Sequence, residues 1–439
     1  NSSDVEVNIK IALARAMRDG RLDRANRDKL LTAMTEQVAD LVLRNNYLQT
    51  LAISIVEQDS AELTGDMSQL MNDLESAGHL DRQVETLPDD LELAERVTAG
   101  KPLTRPEIGV LLSYAKIVLF DELTESHLPD NPYFESTLID YFPKRMHKTH
   151  RDDILEHRLR REIISTVLAN DVINRGGPSF ISRMADATGM LPSQIVGAFV
   201  VVRDGLGLSE LYDIIDSLDN KVSGAYQNEL YGDLRHIFRI VVRWSAKAGV
   251  AQGQLADMVD ALAKAVRTLR PVMPDILPNF MRRERRAIYQ RAIDHGVPEK
   301  QAAQLSETVG LVNIPDIMLA ANLSNAGLKE AAKIYFDVTR TYRISRLEAA
   351  AYSAKATDFY EELAIGRSLD EISAARRNVM KAVITQFGKE DNPVVAWQAA
   401  DRLRRERIQA RINELIDSGD FSISRLTVAA GMMSDLAAE

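Results

Sequence analysis

The stretch from Leu103 to Phe120 reads LTRPEIGVLLSYAKIVLF and carries the features that decide the fold. Thr104 and Glu107 have the spacing of a capping box, in which two side chains satisfy backbone N–H groups at the start of a helix. Pro106 falls early in that helix, where a proline is tolerated. The stretch therefore predicts a capped α-helix that continues into an apolar run.

The same helical pattern extends along the chain. Apolar residues recur three or four positions apart, as in the series Ile9, Leu13, Ala16, Met17 and again in Leu41, Leu48, Leu51, Ile55. Alternating strands bounded by Asn-Gly or Asp-Gly turns are absent. Seven glycines each close a periodic segment, as a glycine after a helix can: Gly20, Gly78, Gly100, Gly189, Gly249, Gly296 and Gly388. We predict an all-α chain, a multi-helix array of roughly twenty helices without significant sheet.

Proline and glycine clusters predict where this array divides. Gly100-Lys101-Pro102 follows a short helix, and the segment 271–278 contains three prolines and cannot be one continuous helix. We therefore expect two or three helical subdomains, divided as 1–100, 101–270 and 271–439.

Composition excludes several classes of protein. The 439 residues include no cysteine, which rules out disulfide scaffolds, thiolate nucleophiles and cysteine-based metal sites. A net charge of −10 argues against broad electrostatic binding to nucleic acid or to an anionic membrane. The longest apolar run, Ile195 to Val202, is too short to span a bilayer. The chain starts at Asn1 without a signal-peptide pattern, and we expect it to be a fragment.

Motifs for self-contained catalysis are missing. Gly205-Leu206-Gly207 lacks the third glycine of a dinucleotide loop, and no Gly-Lys-Ser/Thr sequence occurs. The nucleophile elbow of the α/β-hydrolases and the His-Glu-x-x-His metal motif are also absent. A self-contained enzyme is therefore disfavoured.

One cluster has a composition that could hold a metal ion. His147, His150 and His157 are separated by Asp152, Asp153 and Glu156, and imidazole and carboxylate groups one turn apart can share a divalent ion. Solvated or capping histidines are the commoner arrangement, and we predict no metal here.

Basic residues supply two further candidates. The segments 282–286 and 402–407 are rich in arginine but lack interleaved aromatic residues, so we expect helix faces paired with acids rather than nucleic-acid contacts. Lys116 lies in the apolar run, where a desolvated amine could act as a base or form a Schiff base. An ion-paired or snorkelling lysine is the commoner case.

The start of the first helix is a possible anion site. Ser2 and Ser3 stand beside free backbone N–H groups, which together could hold a substrate carboxylate. An ordinary N-cap explains the same residues.

Several segments closely resemble the C-terminal region of the large bacterial NAD-dependent glutamate dehydrogenases. The resemblance covers nearly the whole chain and rests on these segments: Ser3 to Ile11, Leu103 to Glu107, Leu111 to Lys116, Leu128 to Pro132, Tyr141 to Pro143, His157 to Ile164, Asn174 to Phe180 and, more weakly, Trp397 to Ala429.

This resemblance implies a parent enzyme that oxidises L-glutamate to 2-oxoglutarate and ammonium with NAD, in the cytoplasm and as a homo-oligomer. It places the catalytic lysine, the catalytic aspartate and the NAD loop upstream of Asn1, so that the fragment has no catalytic or cofactor-binding residue and is inactive alone. In smaller relatives a serine three positions after a Gly-Val pair binds the substrate's side-chain carboxylate, and Ser3 takes that place if such a pair lies immediately upstream. Asp4 stands where the smaller relatives have an aromatic residue. We expect residues up to about Asp59 to complete or brace the catalytic domain, and the later helices to form a helical appendage for assembly or effector response.

A stand-alone helical scaffold that binds a protein partner is the alternative. In that case the chain has no part in catalysis. A dinucleotide fold encoded directly before Asn1 would favour the dehydrogenase.

Overall fold

A computed structural model describes residues 2–59, 63–247, 255–354, 359–419 and 421–437. The chain is 80% helical, and no strand occurs in these ranges. The all-α prediction is confirmed. Glycine positions also agree with the helix ends: six of the seven predicted glycines lie within two residues of the end of a helix, and Gly249 lies outside the described residues.

The chain divides into two compact units. The first comprises residues 1–200 and 224–256, and the second comprises residues 201–223 and 257–439. Neither unit is one continuous segment. The subdomains predicted from the sequence, with boundaries at residues 100 and 270, are continuous segments and are not the same kind of division. They stay a prediction.

The first unit is built on long helices that pack around α6. Its helices are α1 (Ser2–Arg18), α2 (Arg24–Ala33), α3 (Thr35–Gln58), α4 (Thr64–Ser76), α5 (Asp90–Thr98), α6 (Arg105–Glu125), α7 (Glu135–Asp140), α8 (Met146–Thr149), α9 (Arg151–Leu155), α10 (Arg160–Gly176), α11 (Phe180–Thr188), most of α12 (Pro192–Gly205) and α14 (Gly224–Lys247). Short 3-10 turns occupy Leu128–Asp130 and Pro132–Phe134.

The capping box predicted at the start of α6 is present. The backbone N–H of Thr104 donates to Glu107 Oε2 at 2.6 Å, and the Thr104 hydroxyl donates to the same oxygen at 2.8 Å. From there α6 packs against α10 and α3, and buries Ile108 and Leu111 completely. Burial of such side chains stabilises the folded state by roughly 1.5–3 kcal/mol each.

The apolar run Ile195 to Val202 lies in α12, and its side chains are buried. In the first unit, the Phe199 ring stacks on the Phe238 ring of α14 at 4.6 Å. Among the described residues no single helix is long and apolar enough to cross a membrane; α11 and α12, bent by 104°, pass the same test of length and composition only as a pair.

The second unit is organised around its longest helix, α22, which packs against α19, α20, α21, α23 and α25. Its helices are α13 (Leu208–Asp216), α15 (Leu255–Leu269), α16 (Met273–Ile276), α17 (Asn279–Asp294), α18 (Glu299–Ser306), α19 (Ile314–Ser324), α20 (Leu328–Thr341), α21 (Ile344–Ser353), α22 (Phe359–Phe387), α23 (Pro393–Ala400), α24 (Arg402–Ser418) and α25 (Ile423–Ala437), with a 3-10 turn at Leu311–Asn313. The proline segment 271–278 interrupts the helices as predicted, since α15 ends before it and α17 begins after it.

Candidate functional site

Helix α1 is joined to the segment 141–157 by polar contacts inside the first unit. The Asn8 amide donates to the Tyr141 hydroxyl at 3.0 Å, and the Asn8 backbone oxygen lies 3.1 Å from His157 Nε2. Arg15 reaches Glu156 at 2.5 Å. We call this set of contacts the α1 clamp, and it includes the pairing of Arg21 with Asp153.

Asp153 is the most buried charged group in the clamp. Its side chain is fully buried and accepts hydrogen bonds from Arg21 at 2.6 and 3.0 Å and from His150 Nδ1 at 3.0 Å. Burial alone would raise the pKa of this carboxyl, but the bonds from Arg21 and His150 outweigh burial, and the pKa is lowered. Asp153 is therefore charged, and its bonds to Arg21 hold the turn that follows α1.

His157 joins the clamp as a neutral ring. Its Nδ1 accepts the Leu159 backbone N–H at 3.1 Å, so Nε2 carries the proton and donates to the Asn8 oxygen. Burial lowers the pKa of His157, which favours this neutral form. The ring is 3% exposed and lies 5.7 Å from the Phe142 ring.

The three histidines of the possible metal cluster each have a structural partner. His147 Nε2 lies 2.7 Å from the Phe142 backbone oxygen, and the partners of His150 and His157 are those of the clamp. In the part of the chain that the structure describes, no three His, Asp or Glu side chains converge as metal ligands would.

Ser3 lies one residue inside α1 and is exposed to solvent. The helix begins at Ser2, so Ser3 occupies the first turn rather than the N-cap position. Its role in substrate binding stays a prediction.

Lys116 is half-buried on α6, and burial lowers its pKa to about 8. Within the described residues its amine forms no ion pair. Its helix faces α3, where Arg105 bonds to Glu57 and Gly109 approaches Ile53. The structure brings no second catalytic group to this amine within those residues.

Most arginines of the two basic segments contact a nearby acid or a backbone oxygen. Arg285 lies 3.5 Å from Glu307, and Arg402 lies 2.8 Å from Glu406. Arg405 stacks over the Trp397 ring at 3.7 Å and donates to the Trp397 backbone oxygen. These contacts fit the paired helix faces expected from the sequence.

The residues present do not form a dinucleotide site at Gly205-Leu206-Gly207. This stretch joins two helices rather than following a strand, and a Cβ on Gly205 would lie 2.8 Å from the Leu262 side chain. Gly205 thus permits a close helix contact, which is a packing role.

A second polar cluster, which sequence reasoning missed, lies in the second unit. The Arg376 side chain is only 4% exposed, contacts Asp316 at 3.3 Å and Glu348 at 3.0 Å, and lies over the Tyr335 ring at 4.3 Å. Arg377 adds a bond to Asp316 at 2.5 Å. No motif in the sequence indicates this cluster, because its members come from four helices.

Burial and charge act against each other in this cluster. Burial raises the pKa of Glu348, and the nearby Arg376 charge only partly offsets that effect. Burial would lower the pKa of Arg376, but Glu348 and Asp316 reverse the shift and keep the guanidinium charged.

Two family models match the chain and divide it between them. Residues 1–56 match the bacterial NAD-glutamate dehydrogenase catalytic domain, and residues 100–435 match the glutamate dehydrogenase C-terminal family. The α1 clamp joins residues of the first match to residues of the second.

Three relatives are each called an NAD-specific glutamate dehydrogenase. The protein of Pseudomonas aeruginosa is 33% identical over 99% of this chain, that of Halomonas elongata 33% over 82%, and that of Mycobacterium tuberculosis 27% over 98%. The chain covers 27%, 23% and 26% of those proteins, so it spans about a quarter of their length. From these matches, the chain belongs to the large bacterial NAD-dependent glutamate dehydrogenase family and corresponds to its helical C-terminal region.

Proposed function

We propose that this chain is the C-terminal portion of an enzyme that converts L-glutamate, NAD and water to 2-oxoglutarate, ammonium and NADH. The names of the relatives and the catalytic-domain match at residues 1–56 support this reading. In the proposal, the catalytic lysine and the NAD loop lie outside the chain. The Ser3 hydroxyl binds the substrate's side-chain carboxylate.

The role that we propose for this chain is to brace the catalytic domain. The observation that carries it is the α1 clamp, which ties a helix of the catalytic-domain match to the segment 141–157 of the C-terminal match. Fixing α1 fixes the position of its first turn, and catalytic groups must be held within about 0.5 Å. The clamp therefore acts as a positioning device.

We further propose that NAD binds elsewhere in the parent enzyme, which assembles as a cytoplasmic homo-oligomer without a nucleic-acid or membrane partner. The match at residues 1–56 favours this reading over a stand-alone interaction scaffold.

The test is NAD-dependent glutamate oxidation by the full-length parent carrying Asp153→Ala. Removing the buried carboxylate leaves His150 without this acceptor and Arg21 with only Asp19, so we expect a loss of about 1–3 kcal/mol in unfolding free energy and a severalfold fall in kcat/KM. Asp152→Ala is the matched control, because the neighbouring side chain is exposed on the same short helix.

Two outcomes would contradict the proposal. A parent that does not reduce NAD with glutamate has another activity. A destabilised Asp153→Ala enzyme with wild-type kcat/KM well below its melting temperature would show that the clamp only stabilises the fold.

A further inference from the structure

A small pocket opens in the first unit where α10 meets α11. It is lined by residues of α4, of the turn 176–179, of α11 and of α14. Its empty volume is about 330 Å³ including the open mouth. The enclosed part is only about the size of a water molecule.

Two glycines shape the turn beside the pocket. Gly177 has a φ of +93°, which residues with a side chain rarely adopt. A Cβ on Gly176 would lie 2.5 Å from the Phe180 ring. These glycines allow α10 to end directly against the amino end of α11.

Ser179 at this turn is a largely buried residue whose hydroxyl has no partner among the described residues. The residue is 5% exposed and occupies the N-cap position of α11, yet its side chain makes no capping bond. The side chain has no other hydrogen-bond partner among the described residues. Ser179 also lines the pocket. Because Ser179 lines the pocket and no described protein group bonds its hydroxyl, the hydroxyl is available to a ligand.

Positive charge surrounds this hydroxyl. Arg183, Arg235 and Arg239 line the pocket, and the amino end of α11 adds backbone N–H groups with a partial positive charge. Arg183 pairs with Asp66, and Arg235 pairs with Asp59 at the end of α3. These ion pairs hold the walls in place.

Two effects lower the pKa of Arg235 in this pocket. Burial, and then the neighbouring Arg239, lower the pKa of Arg235 to about 10. Each guanidinium has five N–H donors, more than one carboxylate can occupy. An anion would reduce the repulsion between Arg235 and Arg239 and accept hydrogen bonds from their guanidinium groups.

We propose that this pocket binds a small oxyanion, a carboxylate or phosphate group, through the Ser179 hydroxyl, the amino end of α11 and the guanidinium groups of Arg235 and Arg239. The enclosed part admits little more than one oxygen of the head group, and the rest of the anion would lie in the open mouth. The pocket is lined in part by α4, which follows the catalytic-domain match, and its Arg235 pairs with Asp59. The inference does not depend on the dehydrogenase reaction.

The test is a titration of the 439-residue chain, labelled with carbon-13 at its methionine methyl groups. Met67 and Met184 line the pocket and report its occupancy, and Met380 and Met433 in the second unit serve as internal controls. The probes are inorganic phosphate, acetate and L-glutamate, with chloride at matched ionic strength. Signals are assigned from Met67→Leu and Met184→Leu spectra.

We expect saturable shifts of the Met67 and Met184 signals with a Kd below about 10 mM, and none with chloride. Whichever probe binds with the lower Kd, phosphate or a carboxylate, identifies the chemical class of the head group. Ser179→Ala should weaken binding about tenfold without loss of thermal stability, because the hydroxyl has no described protein partner. Arg239→Met should weaken it at least as much, whereas Ser113→Ala, at an exposed serine of α6, should not.

The inference is overturned if no probe saturates below that concentration. It is equally overturned if binding is the same in Ser179→Ala, Arg239→Met and wild-type protein.

Discussion

Ser3 is the residue of this chain that, in our proposal, contacts the substrate. In the parent enzyme, Ser3→Ala removes one donor to the substrate's side-chain carboxylate, so we expect KM for glutamate to rise about tenfold. Steady-state kinetics measure this, with Ser2→Ala as the control at the neighbouring exposed serine. An equal KM in both variants would assign Ser3 to the helix start alone.

Lys116 makes stability depend on pH. Burial lowers its pKa from 10.5 to about 8, so the unfolded chain binds more protons than the folded chain between these values. Stability therefore rises with pH across the window from 8 to 10.5, and the charged amine costs stability below it.

Lys116→Met tests this effect through denaturant unfolding at several pH values. We expect a gain of about 1–3 kcal/mol at pH 7 that shrinks as the pH rises from 8 towards 10.5. Lys29→Met, at an exposed lysine of α2, should show no such trend. A gain independent of pH would mean that the methionine side chain simply packs better.

At the scale of elements, α22 depends on the buried cluster around Arg376. Arg376→Met leaves Asp316 and Glu348 buried without their central cation, so we expect a loss of about 3–5 kcal/mol in the stability of the second unit. Denaturant unfolding measures it, and Arg367→Met is the control because that arginine is exposed on the same helix.

A triple variant separates charge from packing. Arg376→Met combined with Asp316→Leu and Glu348→Leu removes Arg376 together with both of its acidic partners, leaves only Arg377 of the cluster's charges, and should recover much of the lost stability. If the triple variant is no more stable than Arg376→Met alone, the loss comes from packing around α22.

Helices were accessible to sequence reasoning, whereas the sites between them were not. The Thr104 capping box and the glycines after the helices are local signals, because each acts within a few residues. The pocket at Ser179 combines residues from 63 to 239, and the Arg376 cluster combines four helices. Such convergence depends on helix packing, which an amphipathic pattern alone does not specify.

At the scale of the whole molecule, the proposal predicts that the 439-residue chain does not reduce NAD with glutamate by itself, since the catalytic lysine and NAD loop are placed outside it. Measuring absorbance of NADH with the purified chain and with the full-length parent checks this. Turnover by the chain alone would overturn that placement.

The interleaved order of the two units has a consequence for synthesis on the ribosome. Residues 201–223 belong to the second unit but are made before residues 224–256, which complete the first. At about 5–20 residues per second, the intervening 33 residues (256 minus 223) take roughly 2–7 s to translate. During that interval the rest of the second unit has not been made. The side chains of Leu208, Tyr212 and Ile215, which are buried in the finished protein, therefore remain exposed. The nascent chain therefore already exposes apolar side chains of its second unit while its first unit is being completed.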